Sequence, residues 1–583
     1  MATAYYVSET GNDRNNGLSE NAAFRTLQQA AELTRPGDTV YIMNGTYTQA
    51  NQFDNVLTIR NSGTSSGWIT YTNYPGHTPK LLSRNWNAIE IEGASYIVIN
   101  GLKLEGNNDN ISLNYAMAQK NNLTNPLTSG NGISVKKSSR TGAYPRHILI
   151  RNNEIYKFGG AGIQAGQGDY VTIENNSVHD NAWYSPYGNS GISVGGWNSD
   201  NNQGYKIIIR GNTVYRNQQL VPWYKVGAIT DGNGIIVDTN RNSDTGVTGG
   251  PYGGRTLIEN NIVTNNGGRG IHTYKSNHVD VLHNTTFQNS LHPAVKDGEI
   301  TTIESYDVQV FNNILYGISD APANKVSNSS NVIYDYNLAY GGTGFNPAGG
   351  ISNWVGLDPL FVNPATGDFS LRDNSPALDR ASSGFQVSVD RFGTPRPQGS
   401  GRDLGAVEFK VNSSGGTGGT GGSTGGGTGG GTGGDTERVN GIVRSGDSRA
   451  NSLRGTLQND LLDGKGGNDY LLGRDGNDRL IGGGGSDLFN GERGNDRLIS
   501  GAGNDSMTGG LGNDIFAIGD GAGRDRIRDF KDGIDKIELL NDISFGSLKI
   551  QPSGRDVMIQ ISRTDLVLIS NISIKLITAA DFV

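Results

Sequence analysis

The side chains best suited to chemistry lie in two short segments of this chain. The first, Asp231–Asp238, is Asp-Gly-Asn-Gly-Ile-Ile-Val-Asp, and the second, Gly267–Lys275, is Gly-Gly-Arg-Gly-Ile-His-Thr-Tyr-Lys. The first supplies carboxylates, and the second supplies a guanidinium, an imidazole and an ammonium group. A base flanked by cations can remove the proton beside the carboxylate of an acidic sugar, because the cations stabilise the enolate that forms.

We therefore predict a site for an acidic saccharide. His272 and Lys275 are candidate bases, and Arg269 is a candidate for the same role or for neutralising the sugar carboxylate. Two carboxylates suit calcium. The predicted Ca²⁺ ligands here are Asp231 and Asp238, with the side-chain oxygen of Asn233. Plainer alternatives are a turn at Asp231 and a solvated side chain at Lys275.

These segments belong to a repeat that extends from about residue 87 to residue 317. β-Branched residues followed by asparagine recur in His147–Asn153, Val171–Asn176, Ile207–Asn212, Thr256–Asn261, Val279–Asn284 and Val308–Asn313. A second strand, of Gly-Ile type, begins at Gly132, Gly162, Gly191, Gly234 and Gly270. The shortest units are 23–24 residues long, which fits one coil of three short strands.

The repeat predicts an all-β fold, a right-handed parallel β-helix. Stacked coils place like residues above like, so asparagine side chains can form a hydrogen-bonded ladder while β-branched residues fill the interior. Aligning the Gly-Ile strands gives two outward rows with strands about 4.8 Å apart. The first row is Ser134, Gln164, Ser193, Ile236, His272 and Thr301, and the second is Lys136, Gly166, Gly195, Asp238, Tyr274 and Ile303.

Longer spacings predict loops on one side of the β-helix, at 181–189, 197–205, 218–230 and 239–255. These loops carry clustered aromatic residues. Aromatic rings stack on sugar faces, which predicts a groove wall, although such rings can also simply anchor a loop. The predicted substrate-binding residues are Tyr274, Lys225, Trp197, Trp223, Tyr224 and Glu299.

Three segments are expected along the chain. The β-helix should occupy residues 1–410, with a cap over about residues 1–50 formed by a helix at Phe24–Leu33 and a strand at Thr39–Met43. Residues 318–409 should close the last turn. Residues 411–436 are almost entirely Gly, Thr and Ser, which indicates a flexible linker.

Residues 437–583 contain aspartates nine residues apart, five of them in Gly-Asn-Asp. This pattern resembles the nonapeptide repeat of RTX proteins, a parallel β-roll in which glycine-rich turns and aspartates enclose Ca²⁺. The resemblance implies calcium ligation by Asp460, Asp469, Asp478, Asp487, Asp496, Asp505 and Asp514. RTX proteins carry a C-terminal signal for type I secretion, and the apolar ending Leu576–Val583 resembles such a signal.

Composition excludes several classes of protein. The net charge of the 583-residue chain is −8, which argues against a nucleic acid partner. There are no cysteines, hence neither disulfides nor thiolate metal sites. No apolar run is long enough for a membrane span, and Met1–Tyr6 lacks the pattern of a signal sequence. We expect an extracellular monomer that does not insert into membranes.

The N-terminal part, roughly residues 4–409, resembles polysaccharide lyase family 9. The resemblance is carried by Tyr5–Asp13, Gly17–Ser19, Phe24–Gln28, Pro36–Tyr41 and Gly45–Tyr47. It implies a calcium-dependent β-helix lyase that acts on pectate or rhamnogalacturonan with a lysine base. The chain departs from this pattern, because Gly232–Asp238 replaces the paired aspartates of the calcium segment and His272 stands where the lysine is expected.

The predicted function is that of a secreted, calcium-dependent lyase that cleaves an acidic polysaccharide such as pectate, rhamnogalacturonan or alginate by β-elimination. Three alternatives remain open. The same proton abstraction followed by reprotonation would make a uronan C5-epimerase. Asp238 with Asp297 or Glu299 could make an inverting glycoside hydrolase. A non-catalytic polysaccharide binder or adhesin is the third.

Overall fold

The computed structural model describes residues 2–49, 51, 53–241, 252–382, 384–385, 387–399, 401–409, 443–455, 459–519, 521, 523–541, 543–562, 565–570 and 572–583. The expected linker and most of the loop expected at 239–255 lie outside the described residues. The chain divides into two compact units, Met1–Ser413 and Ser414–Val583. No helix in the described part of the chain is long and apolar enough to cross a membrane.

The first unit is built from three parallel sheets, which confirms the predicted β-helix. The first sheet contains Ala4–Val7, Thr39–Ile42, Ile69–Asn73, Ile97–Asn100, Arg146–Arg151, Asp169–Glu174, Tyr205–Arg210, Arg255–Glu259, Asn277–Leu282, Tyr306–Phe311 and Ser330–Asp335. The second contains Thr46–Tyr47, Lys80–Leu82, Lys103–Glu105, Glu154–Tyr156, Ser177–His179, Thr213–Tyr215, Ile262–Thr264, Thr285–Phe287, Ile314–Tyr316, Leu338–Tyr340 and Trp354–Val355.

The third sheet carries the Gly-Ile strands. Its strands are Leu57–Ile59, Ile89–Glu92, Ile133–Lys136, Ile163–Ala165, Ile192–Val194, Ile235–Asp238, Ile271–Tyr274, Ile300–Ile303 and Asn324–Ser327. Ile236 pairs with His272 and His272 with Thr301, while Asp238 pairs with Tyr274. The predicted register of the two outward rows is therefore confirmed for these strands.

Alternation along each strand divides the side chains between core and surface. In Ile133–Lys136, for example, Ile133 and Val135 join the buried core, whereas Lys136 faces outward. Because the strands are stacked in register, β-branched side chains of successive coils pack on one another. One continuous apolar core runs from Val7 to Ala339.

Asparagine ladders hold the turns of the β-helix together. In the predicted ladder, Asn153 Nδ2 donates to Asn176 Oδ1 at 3.0 Å. The same contact is repeated through Asn212, Asn261, Asn284, Asn313 and Asn337. A second ladder, which was not predicted, runs through Asn181, Asn217, Asn266 and Asn289. Buried amides are thereby hydrogen-bonded, which removes the penalty for enclosing them.

Helices are few and short. Those described are Leu27–Leu33, Leu113–Ala118 and Pro126–Ser129, with 3₁₀ turns at Glu20–Ala22, Asn108–Asn110, Pro364–Thr366, Phe545–Ser547, Ile574–Leu576 and Ala579–Asp581. The predicted N-terminal helix begins at Leu27 rather than Phe24, because the Thr26 hydroxyl caps it by accepting from Gln29 N. Phe24 instead forms a bridge with Val7.

The segment after residue 318 does more than close the last turn. Its first strands add a further coil, but the antiparallel pair Phe361–Asn363 and Asp368–Leu371 packs on the second sheet beside Phe287 and Ile314. Val387 packs on the first sheet against Leu257 and Leu282. The prediction was incomplete, because this segment also covers apolar residues on the outer faces of the first and second sheets.

The second unit is the predicted β-roll. One sheet contains Val443–Ser445, Leu461–Asp463, Arg479–Gly484, Arg497–Ala502, Ile515–Ile518 and Lys536–Leu539. The other contains Ser452–Arg454, Tyr470–Asp475, Leu488–Arg493, Ser506–Leu511, Arg524–Ile527, Leu566–Ile569, Asp556–Gln560 and Lys549–Ser553. Leu471, Leu480 and Leu498 are fully buried between the sheets, as the apolar position of the repeat predicts.

Candidate functional site

His272 lies on the strand Ile271–Tyr274, the third of the nine strands of the third sheet counted from Asn324–Ser327, and is only 3% exposed. Its Nδ1 lies 3.2 Å from the carbonyl oxygen of Thr301, so we assign the ring hydrogen to Nδ1. Burial, reinforced by the charge of Arg269, holds the pKa of His272 well below its usual 6.5. The imidazole is therefore neutral at pH 7, with Nε2 unprotonated.

A chain of charges lies beside this histidine. The guanidinium of Arg269 forms an ion pair with Asp297, and Lys325 Nζ lies 2.6 Å from Asp297 Oδ1. Burial raises the pKa of Asp297, but Arg269 and Lys325 outweigh it and hold the pKa below its usual value. Two cations thus share one carboxylate, and the side chain of Lys325 is 45% exposed.

Asp231 lies at the start of the same region, four residues before the strand Ile235–Asp238. Its carboxylate accepts from Thr230 Oγ1 at 2.7 Å and from Asn233 Nδ2 at 3.0 Å. Burial raises the pKa of Asp231 to about 6, although these hydrogen bonds and Arg269 oppose the change. Asp231 is therefore in exchange between its charged and neutral forms close to neutral pH.

Two of the three residues predicted to bind calcium in the β-helix meet, since Asn233 Nδ2 donates to Asp231 Oδ1 at 3.0 Å. Asp231 precedes the strand, whereas Asp238 is exposed at its far end. Asn233 is fully buried, and its Oδ1 accepts from the backbone N–H of Arg269 at 3.0 Å. No group of three or more His, Asp or Glu side chains in the described part of the chain is placed to hold a metal ion. The Arg269 guanidinium donates to the carbonyl oxygen of Thr230 and supplies a positive charge that lowers the pKa of Asp231.

Tyr274 and Lys275 lie at the opposite end of the strand from Arg269. The ring of Tyr274 is 5.9 Å from that of His272, centroid to centroid. Lys275 Nζ lies 5.2 Å from the centre of the Tyr274 ring, on a residue with a φ of 46°. The ammonium group therefore lies within cation–π distance of the Tyr274 ring.

The predicted aromatic wall exists in part. Gln219 accepts from the backbone N–H groups of Thr230 and Asp231, which closes the loop carrying Trp223, Tyr224 and Lys225. A Cβ placed on Gly188 would lie 2.8 Å from Asp231 Oδ2 and 3.3 Å from Trp223 Cγ. Trp223 is thus a neighbour of Asp231, and Lys225 Nζ lies 5.5 Å from the centre of its ring.

Tyr224 extends this wall outward. It is 39% exposed and meets the ring of Tyr187, itself 41% exposed, edge-on at 5.7 Å. Trp197 does not belong to the wall. It stacks on Tyr144 at 3.8 Å and 2° between planes, beside the end of the strand Ile133–Lys136.

Glu299 does not line the site, so its predicted role in substrate binding is wrong. The residue is fully buried, and its carboxylate accepts from the backbone and side-chain amides of Asn289. It ends the second asparagine ladder in the place where a further asparagine oxygen would accept. Burial raises the pKa of Glu299 to about 8.

Sequence reasoning missed Lys325 and gave Asp297 only a secondary role. Lys325 pairs with Thr301 in the row that contains His272, but its strand, Asn324–Ser327, lacks the Gly-Ile pattern used for the alignment. The spacing from the preceding strand, 24 residues from Thr301 to Lys325, was a usable signal.

The β-roll fits calcium. Five aspartates of the repeat use Oδ1 to accept from the backbone N–H of the aspartate 18 residues earlier, namely Asp478, Asp487, Asp496, Asp505 and Asp514. In Asp496, for example, the distance to Asp478 N is 2.8 Å. The second oxygen is buried with no hydrogen-bond partner in Asp469, Asp487, Asp496, Asp505 and Asp514. Burial, followed by repulsion from neighbouring aspartates, raises the pKa of Asp496 and of Asp505 to about 8. A Ca²⁺ ion would supply the missing partner and offset the repulsion.

Comparison with known proteins identifies the first unit. The family profile described as "Pel9A-like, right handed beta helix region" matches residues 5–297, just over half of the chain. The chain belongs to the Pel9A-like right-handed β-helix family. The RTX calcium-binding nonapeptide repeat matches residues 445–480 and 481–516 of the second unit, which confirms calcium as the ligand of these repeats.

Similarity to individual members of the fold is distant. "Uncharacterized protein YwoF" of Bacillus subtilis (strain 168) is 29% identical over 150 residues, which span 26% of this chain and 28% of that protein. The crystal structure of pectate lyase Pel9A has 16% identity and a TM-score of 0.41 over 70% of this chain and 97% of its own. The GH136 lacto-N-biosidase of Eubacterium ramulus has 16% identity and a TM-score of 0.34, covering 61% and 58% of the respective chains.

Proposed function

We propose that the β-helix is a lyase that cleaves an acidic, uronate-containing polysaccharide by β-elimination. The observation that carries the proposal is the neutral His272, held beside the charge chain Arg269–Asp297–Lys325 on the outer face of the third sheet. A neutral imidazole is a competent base at pH 7, and fixed cations stabilise a carboxylate that gains charge.

In the proposed reaction, Arg269 and Lys325 attract the carboxylate of the uronate. His272 Nε2 takes the proton from C5, and the electron pair of that bond forms the C4–C5 double bond as the C4–O bond breaks. The leaving oxygen takes a proton from solvent, and His272 later returns its own proton to solvent. His272 replaces the lysine expected from family 9, and Arg269 replaces the cation expected at the uronate.

The aromatic wall would hold the neighbouring sugars. Trp223 and Tyr224 offer ring faces within the loop closed by Gln219, and Lys225 adds a positive charge at the rim. Burial of a sugar face against a ring is favourable, and the attached loop keeps the ring next to Asp231. Substrate orientation on a rigid sheet then places C5 against the base.

The test is to incubate the full chain with pectate, alginate and rhamnogalacturonan while recording the ultraviolet absorbance of the new double bond. We expect absorbance to rise with at least one of them. New reducing ends without absorbance would contradict a lyase, and so would changed uronate stereochemistry without chain cleavage, which would indicate the epimerase. Binding with no chemistry would leave only the adhesin.

One observation favours an inverting glycoside hydrolase as the second candidate. Arg269 interacts with both Asp231 and Asp297. The pKa of Asp231 is raised to about 6, and the pKa of Asp297 is held below its usual value. Such a split suits an acid and a base. Reducing ends whose release depends on both carboxylates would support this candidate, and the ultraviolet assay separates it from the lyase.

We also propose that the protein acts outside the cell as a monomer and leaves through a type I secretion system. The supporting observation is the match of residues 445–480 and 481–516 to the RTX calcium-binding repeat. The proposed boundaries remain 1–410, 411–436 and 437–583. Export of the full chain, and its loss after removal of residues 576–583, would test the route.

A further inference from the structure

A second groove lies on the third sheet, far from His272. It has a volume of about 950 Å³ and lies over the first strands of the sheet, Leu57–Ile59, Ile89–Glu92 and Ile133–Lys136. Five strand-to-strand steps separate Ile89–Glu92 from Ile271–Tyr274, a distance of about 24 Å. A volume of this size accommodates several sugar units.

Closed ion pairs form the floor of this groove. Glu90 and Glu92 face away from the core and are only 7% and 5% exposed. Glu90 is paired with Lys136 at 3.0 Å and Glu92 with Arg60 at 2.8 Å. Lys136 and Arg60 therefore already neutralise these two carboxylates. A ligand would meet a fixed array of hydrogen-bond donors and acceptors. Such an array suits hydroxyl groups.

The aromatic residues and the excess of acidic side chains in the groove lining indicate which class of ligand fits. Phe53, which is 67% exposed, and Trp86 contribute aromatic rings to the groove lining. The lining contains five acidic residues, Asp13, Glu32, Asp54, Glu90 and Glu92, against three basic ones, Arg60, Lys136 and Arg140. The excess of negative charge disfavours a polyuronate, whereas the rings and the paired charges suit an uncharged sugar.

We propose that this groove binds a neutral saccharide chain, at a site separate from the one around His272. The outward rows lead from Thr58, Glu90 and Ser134 toward His272, so both sites lie on one rigid sheet. A polysaccharide with neutral and acidic stretches could engage both sites together, which raises the effective concentration of the acidic stretch at the second site. The binding itself does not depend on the proposed lyase reaction.

The experiment is calorimetric titration of the full chain with cellohexaose, xylohexaose and β-1,4-galactohexaose, and with hexagalacturonate. At least one neutral hexasaccharide should bind, and Phe53→Ala and Trp86→Ala should each weaken it about tenfold or more. Phe53 is exposed, so its removal leaves the fold intact. Phe392→Ala, a change at an aromatic residue that is 64% exposed and does not line the groove, should leave this binding unchanged.

Three results would overturn the proposal. The first is that none of the three neutral hexasaccharides binds with a Kd of about 10 mM or tighter. The second is that the wild-type chain and both aromatic variants bind equally well. The third is that hexagalacturonate binds more tightly than the neutral sugars at a site sensitive to Phe53. Failure of the lyase assay would not affect any of these readings, so the two proposals are tested separately.

Discussion

At the scale of the residue, burial decides the chemistry. Burial favours the neutral form of three side chains. It lowers the pKa of His272 and raises the pKa values of Asp231 and Glu299. Of these three residues, only His272 is a candidate base whose pKa is lowered by both Arg269 and Lys325. The same physical effect makes Glu299 a structural residue, because its partners are the amides of a ladder.

We expect His272→Ala to reduce the rate of formation of the unsaturated product at least a hundredfold, the usual contribution of a general base. The measurement is the initial rate of ultraviolet absorbance at saturating substrate. Lys275→Met is the control, since Lys275 covers the Tyr274 ring at the other end of the strand, and it should stay within a few fold of wild type. Comparable losses in both variants, or in neither, would place the base elsewhere.

The pH profile provides an independent test of the same base. A base is active when deprotonated, and the pKa of His272 lies well below 6.5, so its neutral form persists as the pH falls past 6.5. The rate limb governed by His272 should therefore decline only at a pH clearly below 6.5. In the chain with Asp231→Asn, which removes the group with a pKa of about 6, a decline centred at 6.5 would contradict neutral burial of the ring.

At the scale of the element, the ladders explain how short strands form a long rod. Each buried asparagine satisfies backbone and side-chain groups in the next coil, so one coil specifies the register of its neighbour. This repetition leaves the outward positions of the third sheet free to vary. The residue type at a site position can therefore differ while the sheet stays the same. His272, which stands where a lysine was expected, is an example.

Glu299→Gln should stabilise the β-helix at alkaline pH. The folded-state pKa of Glu299 is about 8 and the unfolded one near 4.5, so folding favours its protonated form and stability is lost as the pH rises between these values. A glutamine supplies the same acceptor without charge. The gain should reach as much as about 5 kcal/mol above pH 8 and vanish near pH 4.

The measurement is chemical unfolding at both pH values, followed by a signal from the β-helix. Glu32→Gln, an exposed change on the helix Leu27–Leu33, is the matched control and should have little effect at either pH. A gain that does not depend on pH would mean that folding does not raise the pKa of Glu299.

At the scale of the whole molecule, two units of different stability share one chain. The β-helix is held by a continuous apolar core and neutral amide ladders. The β-roll instead stacks buried carboxylates, whose second oxygens lack a hydrogen-bond partner in residues such as Asp487 and Asp514. Metal binding is therefore part of the folding free energy of the roll.

We expect removal of calcium with a chelator to unfold the roll while the β-helix stays folded. Hydrogen exchange should then show fast amides in 443–583 and protected ones in the strands of the first unit. The raised pKa values, about 8 for Asp496 and Asp505, make the metal-free roll less stable as the pH rises from about 4 to 8, whereas calcium binding strengthens over the same range. Equal protection of the roll with and without chelator at pH 8 would contradict this account.

The sequence by itself determined the periodic part of the protein. β-Branched triplets with asparagine, and aspartates nine residues apart, each imply one repeated set of contacts, because a stacked coil can satisfy the pattern only in register. Thus the β-helix, the β-roll, the rows through His272 and the first ladder were all predictable. Helix ends such as Leu27 were missed by a few residues, since a side-chain cap sets them.

Only the tertiary structure decided which polar residues meet. The strand Ile235–Asp238 separates Asp231 from Asp238, the ladder encloses Glu299, and the pairing of Thr301 with Lys325 brings a lysine into the row from a strand without the repeat signature. Distances between coils and the enclosure of side chains depend on contacts distant in sequence. Burial then sets the pKa values, which no local pattern records.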